Sequence, residues 1–164
     1  MKESLPRLLR DELHRSLHGP AWHGPALLEA LSSVTVDEAF DLPESGGHSI
    51  AQITMHAIAW MEEVERRLRG RPPAEPARGD WPPPGQRSQI SWDAIRELVR
   101  VSGESLETAI AAFPLDKLFD TVGTGDPDAP LGSGVPYVVM INGMVQHNVY
   151  HAGQVVLLRN ASRR

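Results

Sequence analysis

The stretch PYVVMINGMVQHNVYHAGQVVLLRN, residues 136–160, decides the fold class of this chain. Its proline suits the first turn of a helix, where the missing N–H would have no helical partner. Residues on one side of such a helix recur every three or four positions. Here they are Met140, Met144, His147, His151, Val155 and Leu158. The sequence therefore predicts a helix over residues 136–160 whose core side carries two histidines.

Helical spacing of apolar residues recurs in four other segments as one moves outward from this stretch. They cover about residues 5–17, 24–32, 50–68 and 91–112. Two capping boxes, in which Ser or Thr precedes Glu or Gln by three residues, mark further helix starts. Ser49 with Gln52 opens the 50–68 helix, and Thr35 with Glu38 opens one additional turn.

Two long segments rich in proline and glycine separate the predicted helices. Residues 71–90 contain six prolines, which exclude a helix or a central strand there, and residues 114–135 are rich in Gly, Pro and Asp. No segment alternates apolar and polar residues with the period of a strand. We therefore predict an all-α protein, one domain over residues 1–164, built as a four-helix bundle with two long irregular connections.

The composition excludes several classes of protein. Of the 164 residues 41% are hydrophobic, which is enough for a core. The chain has 16 basic and 21 acidic residues with no concentrated basic run, which argues against nucleic acid as a partner. It has no cysteine, so any thiol chemistry must use a thiol supplied from outside. No signal peptide or membrane span is visible, so we expect a cytoplasmic protein that does not bind membranes.

Three histidines form the candidate metal site. His147 and His151 are one helical turn apart, and His56 lies on the core side of the 50–68 helix. Two imidazoles at positions i and i+4 can reach one ion, and a third from another helix completes a three-nitrogen site. The alternative is that each ring is a core histidine with its own hydrogen-bond partners in the protein. The pattern favours His56, His147 and His151 as ligands of one metal.

The remaining histidines are weaker candidates. His14 and His18 are also four residues apart, but they flank the apolar stripe of their helix, and we predict that neither is a ligand. His23 lies at a break between helices, where it could line the mouth of the site or bond a helix end, and the second role is favoured. His48 precedes a cap, so we expect it to act at a helix end. The chain has no HExxH motif and no Glu three residues before a His. This argues against a metalloprotease helix and against a di-iron bundle.

With these features in place, the chain resembles the DinB/YfiT-like superfamily of bacterial four-helix bundles. The resemblance is carried by HSIAQITMHAIAW (48–60) and HNVYHAGQVVLLR (147–159) and extends over nearly the whole chain. His56 falls at the first ligand position of this family, and His147 and His151 fall at the other two. The resemblance implies a divalent metal, zinc or nickel, held by three histidines with one open position, and it implies a homodimer.

The resemblance also bears on activity. Some relatives use the metal with mycothiol, bacillithiol or glutathione in transferase or isomerase reactions, and many have no assigned activity. We therefore expect a metal-dependent S-transferase that joins a low-molecular-weight thiol to small electrophiles. A metal-dependent hydrolase and a non-enzymatic metal-binding stress protein remain as alternatives.

Residues near the predicted ligands carry three further expectations. Trp22 and His23, at the helix break, are predicted to border the substrate pocket. Gly143 and Gly153 are predicted to permit close helix approach, because glycine is costly inside a helix without such a reason, and the room they leave could serve either the site or a dimer seam. Glu63 and the neighbouring glutamates are expected to be solvated, so no catalytic residue beyond the ligands is predicted.

Overall fold

The computed structural model describes residues 4–44, 46–124, 126, 128–130 and 132–163, and its long elements are all helices. They are α1 (Ser4–His18), α2 (Leu27–Ser32), α3 (Val36–Phe40), α4 (Ile50–Leu68), α5 (Gln89–Ala112) and α6 (Tyr137–Ser162). A single 3-10 turn at Leu115–Lys117 and one isolated bridge between Thr121 and Pro136 complete the regular structure of these ranges. The predicted all-α class is confirmed.

The four long helices pack as a bundle. α4 contacts both α5 and α6, and α1 contacts the same two helices. The short α2 and α3 lie between α1 and α4 along the chain, and α2 packs on α6. Long irregular connections join α4 to α5 and α5 to α6, as predicted. None of the described helices combines the length and hydrophobicity that crossing a membrane requires.

The helices begin where the local sequence provides caps. The hydroxyl of Ser49 accepts a hydrogen bond from the Gln52 amide (3.2 Å), and the Gln52 side chain accepts one from the Ser49 amide (2.9 Å). The box formed by Thr35 and Glu38 opens α3 in the same way. Pro136 is the N-cap of α6 and not a first-turn residue, because its backbone is still extended. The predicted helix boundaries are therefore correct to within a few residues.

Close approach between helices occurs at a different glycine from those predicted. A Cβ added at Gly103 would lie 2.6 Å from Cδ1 of Leu17, so α1 and α5 pack tightly there. A Cβ added at Gly143 or Gly153 would meet no atom within 4 Å. These two glycines therefore do not permit close helix packing within the chain, and their expected role at a dimer seam stays a prediction.

A buried ion pair fastens the α4–α5 connection to α4. The expectation that Glu63 is solvated is wrong, because its side chain is fully buried at 0% exposure. One carboxylate oxygen accepts from Arg67 Nε at 2.7 Å and from the Ala74 amide at 2.9 Å, and the other accepts from Arg66 Nε at 2.8 Å. Since Ala74 belongs to the connection, these bonds hold that segment against the same helix that carries His56.

Candidate metal centre

Helices α4 and α6 bring three histidines together. His56 lies on α4, and His147 and His151 lie one turn apart on α6. Nε2 of His147 is 3.0 Å from Nε2 of His56 and 3.1 Å from Nε2 of His151. His56 and His151 are buried, and His147 is partly buried. The structure thus gathers the three residues that the sequence singles out into one cluster.

The hydrogen bonds made by Nδ1 of two rings determine which ring nitrogen carries the proton. His56 Nδ1 lies 2.7 Å from the Asp80 carbonyl oxygen, and His151 Nδ1 lies 2.7 Å from the Gln154 side-chain oxygen. Because these oxygens can only accept, both Nδ1 atoms carry the proton and both Nε2 atoms carry a lone pair. A proton on His147 Nε2 can satisfy one of these lone pairs but not both. The cluster therefore presents lone pairs to a common point, an arrangement that could hold a metal ion.

Burial keeps two of the rings neutral at ordinary pH. It lowers the pKa of His147 to about 3, with further lowering from the neighbouring His151 and His56 rings. Burial also lowers the pKa of His151 to about 4, although the hydrogen bond to Gln154 opposes the shift. A neutral imidazole is the form that binds a metal, so these two rings are available as ligands well below pH 7.

The spacing of the nitrogens fits a metal ion. Two nitrogens held at about 2.0–2.1 Å by one tetrahedral zinc lie about 3.3 Å from each other. The two measured separations, 3.0 and 3.1 Å, are only slightly shorter. In addition, His147 Nδ1 is buried and has no hydrogen-bond partner in the described part of the chain. His56 and His151 each have a protein partner at Nδ1, so a metal site and hydrogen-bonded core histidines differ at the three Nε2 atoms and at His147.

Asp80, in the α4–α5 connection, supports the first histidine. Besides the backbone bond to His56, its carboxylate Oδ1 lies 3.2 Å from His56 Nδ1 and accepts a hydrogen bond from Trp60 Nε1 at 2.7 Å. Partners of this kind fix the orientation of a ligand ring and raise its basicity. The sequence analysis missed Asp80. An acidic residue beside a tryptophan inside a proline-rich segment is the signal that could have indicated it.

Trp81 forms a stack with two histidine rings. Its ring lies 4.0 Å from the ring of His56 at an angle of 10°, and 3.6 Å from the ring of His48 at 5°. His48 immediately precedes the N-cap Ser49 of α4, and its ring packs on Trp81. Its expected role at the helix end stays a prediction. The stack covers one face of His56, so the connection between α4 and α5 forms a wall of the site.

A cavity of about 540 Å³ lies beside the histidine cluster. From α4 it is lined by His56, Trp60, Val64 and Arg67. The opposite wall comes from α6, where Val139, Met140, Gly143, Met144 and His147 contribute. This volume is in the range of pockets that bind small molecules. Two of the three clustered histidines therefore face a space large enough for a substrate.

The walls of the cavity differ from the prediction. Trp22 and His23 are exposed to solvent and are not among the residues that line it. Asp80 and Trp81 take the place that was predicted for them. The prediction that the helix break after α1 borders the cavity is therefore wrong. The α4–α5 connection, which is hydrogen-bonded to Glu63, lines the cavity instead.

His14 and His18 lie away from this cluster, on α1. His14 Nδ1 is 3.0 Å from a carboxylate oxygen of Glu107 on α5, and His18 Nε2 is 3.9 Å from the same oxygen. The three could in principle share an ion. However, 49% of the His14 side chain is exposed, so water competes at this position. The sequence analysis missed Glu107, and the absence of a metal here stays a prediction.

Comparison with known proteins gives one result. The family model described as the DinB superfamily matches residues 21–155. The matched range contains the three clustered histidines and the residues that line the cavity. No curated protein and no solved structure matches the chain.

Proposed function

The chain belongs to the DinB superfamily, and from this premise we propose that it is a metal-dependent S-transferase. Its substrates would be a low-molecular-weight thiol and a small electrophile. The observation that carries the proposal is the arrangement of the rings. Two protonated Nδ1 atoms leave two Nε2 lone pairs that face a third Nε2 beside a cavity.

We propose that His56, His147 and His151 hold one divalent ion, zinc or nickel. Three neutral ligands leave the ion its full charge, so when bound it would lower the pKa of a thiol and favour the nucleophilic thiolate. Asp80 and Gln154 would keep the His56 and His151 rings oriented. In the described residues the cluster contains no carboxylate, which is compatible with an open position for a substrate.

The thiol in this proposal comes from outside the protein. The chain contains no cysteine, so it supplies no thiolate of its own. In the reaction a sulfur–carbon bond forms and the bond from carbon to the leaving group breaks. The leaving group departs with the bonding electrons, and the thiol proton passes to solvent. Because His56 and His147 line the cavity, a substrate there would lie next to the cluster.

The first test is a thiol-dependence assay on metal-loaded protein. Protein loaded with zinc or nickel is mixed with 1-chloro-2,4-dinitrobenzene and, in turn, mycothiol, bacillithiol or glutathione. With the correct thiol, we expect conjugation roughly tenfold or more above the rate without protein. The His151→Ala variant should lose this rate, and the double variant His14→Gln with His18→Gln should keep it.

Two outcomes would contradict the transferase proposal, and a third would contradict the assignment of the ligands. Metal-dependent cleavage of an ester without any thiol would favour a hydrolase. Stoichiometric metal without turnover of any substrate would favour a metal-binding stress protein. Equal loss of activity in the two histidine variants would show that the wrong pair of histidines has been assigned.

A further inference from the structure

The cavity extends along the bundle, far beyond the histidine cluster. On α4 its lining residues follow one helix face from His56 through Trp60 and Val64 to Arg67. At 1.5 Å per residue this face is about 16 Å long. On α6 the lining runs the opposite way, from His147 at one end to Val139 at the other. The cavity is therefore a channel with the histidines at one end and Arg67 at the other.

Apart from the Asp80 carboxylate, which accepts a hydrogen bond from Trp60, the channel between the histidines and Arg67 is lined mainly by apolar side chains. Two tryptophans, Trp60 and Trp81, line it, and two methionines, Met140 and Met144, face it from α6. Flat aromatic molecules gain both area and favourable ring and sulfur contacts between such side chains. A charged or heavily hydroxylated molecule would lose its hydration there without recovering hydrogen bonds.

The far end of the channel does not provide an uncompensated charge. The Arg67 guanidinium is 1% exposed and donates to the buried Glu63 carboxylate at 2.7 Å. It also donates to the Ala74 carbonyl oxygen at 3.0 Å. A cation that is already paired in this way has little remaining attraction for an anionic ligand. An anion would therefore not be favoured at this end of the channel.

We infer that this channel binds the electrophile, and that the electrophile is an uncharged aromatic compound of about two rings. This inference rests on the proposed transferase function, because it assigns a place to one of its two substrates. The thiols of this class carry charged and hydroxyl groups, so they are unsuited to the apolar walls. They would approach the cluster from solvent. The channel then selects the electrophile by shape and lack of charge.

A pair of fluorescent dyes tests the chemical class. N-phenyl-1-naphthylamine is neutral, and 1-anilinonaphthalene-8-sulfonate has the same rings with an added sulfonate. On zinc-loaded protein we expect the neutral dye to bind at one site per chain, roughly tenfold tighter than the sulfonate. Tighter binding of the sulfonate, or no saturable binding of the neutral dye, would overturn the inference.

Two glycines of α6 provide a matched pair of variants that locates the dye. Gly143 lines the channel and Gly153 does not, and an added Cβ meets no atom within 4 Å at either position. Leucine at either position should therefore be tolerated, and it favours the helix more than glycine does. We expect Gly143→Leu to weaken the neutral dye roughly tenfold or more and Gly153→Leu to leave it unchanged. Equal changes in the affinity of the neutral dye in the two variants would place the dye on the outer face of α6 and overturn the inference.

The His151→Ala variant separates this inference from the proposed function. His151 belongs to the histidine cluster but does not line the channel. The variant should lack metal and transferase activity but still bind the neutral dye. If the wild-type protein binds the dye at this site and shows no transferase activity, the proposed function fails, and only the preference of the channel for an uncharged aromatic ligand stands. If His151→Ala loses the dye together with the metal, the assignment of the channel fails.

Discussion

At the scale of single residues, His147 differs from the other two clustered histidines in its hydrogen bonds. Its Nε2 faces both other rings, but its Nδ1 is buried without a hydrogen-bond partner among the described residues. His56 and His151 each donate from Nδ1 to an oxygen. Burial, followed by the two neighbouring rings, sets the low pKa of His147. The neutral state of this ring therefore depends on the fold.

The low pKa of His147 predicts acid sensitivity of the metal-free protein. Below the ordinary pKa of 6.5 the unfolded chain binds a proton at this ring, and the folded chain does not until about pH 3. Stability should therefore be complete above pH 6.5 and fall as the pH decreases through this interval. Each such ring contributes up to about 1.4 kcal/mol per pH unit. His147→Gln should show a shallower fall between pH 6.5 and pH 5, measured by calorimetry with a chelator present. Identical slopes would contradict the prediction.

At the scale of elements, the α4–α5 connection is the part that the sequence describes least completely. Its prolines correctly predict an extended segment, because they exclude helix and central strand. They do not predict where it lies, since that depends on the buried carboxylate of Glu63. A signal was present, because Glu63 follows His56 by two helical turns and so lies on the same side of α4. The contacts of Asp80 and Trp81 with the site follow from this attachment and could not be read from their own sequence.

Because Glu63 holds the α4–α5 connection, substitutions of the adjacent residues Glu62 and Glu63 should change the free energy of unfolding by different amounts. Glu63→Gln removes the charge that compensates buried Arg67, and we expect it to lower the free energy of unfolding by roughly 3 kcal/mol or more. Glu62 pairs with Arg78 where both side chains are partly exposed, at 31% and 42%. Glu62→Gln should therefore cost less than about 1 kcal/mol. Urea unfolding of the two variants measures both values, and a small loss in both would show that the buried pair does not hold the connection.

At the scale of the whole molecule, helical periodicity was sufficient to predict the class and the architecture. The ligand candidates also followed from it, since His147 and His151 share one face of α6 and His56 lies on the core side of α4. Periodicity alone does not say which helices are neighbours, and the family resemblance supplied the ligand positions. The cavity walls were predicted wrongly because they depend on which loop covers the bundle. Assembly into a homodimer stays a prediction from the resemblance.

Anomalous diffraction from crystals of the zinc-loaded protein tests the central claim most directly. Data collected on both sides of the zinc absorption edge locate the ion without reference to the protein coordinates. We predict one strong peak per chain, at about 2.0–2.1 Å from Nε2 of His56, His147 and His151. We predict no peak between His14, His18 and Glu107. A peak only at that second cluster, or three histidines of the first cluster bonded separately to protein without a peak, would contradict the claim.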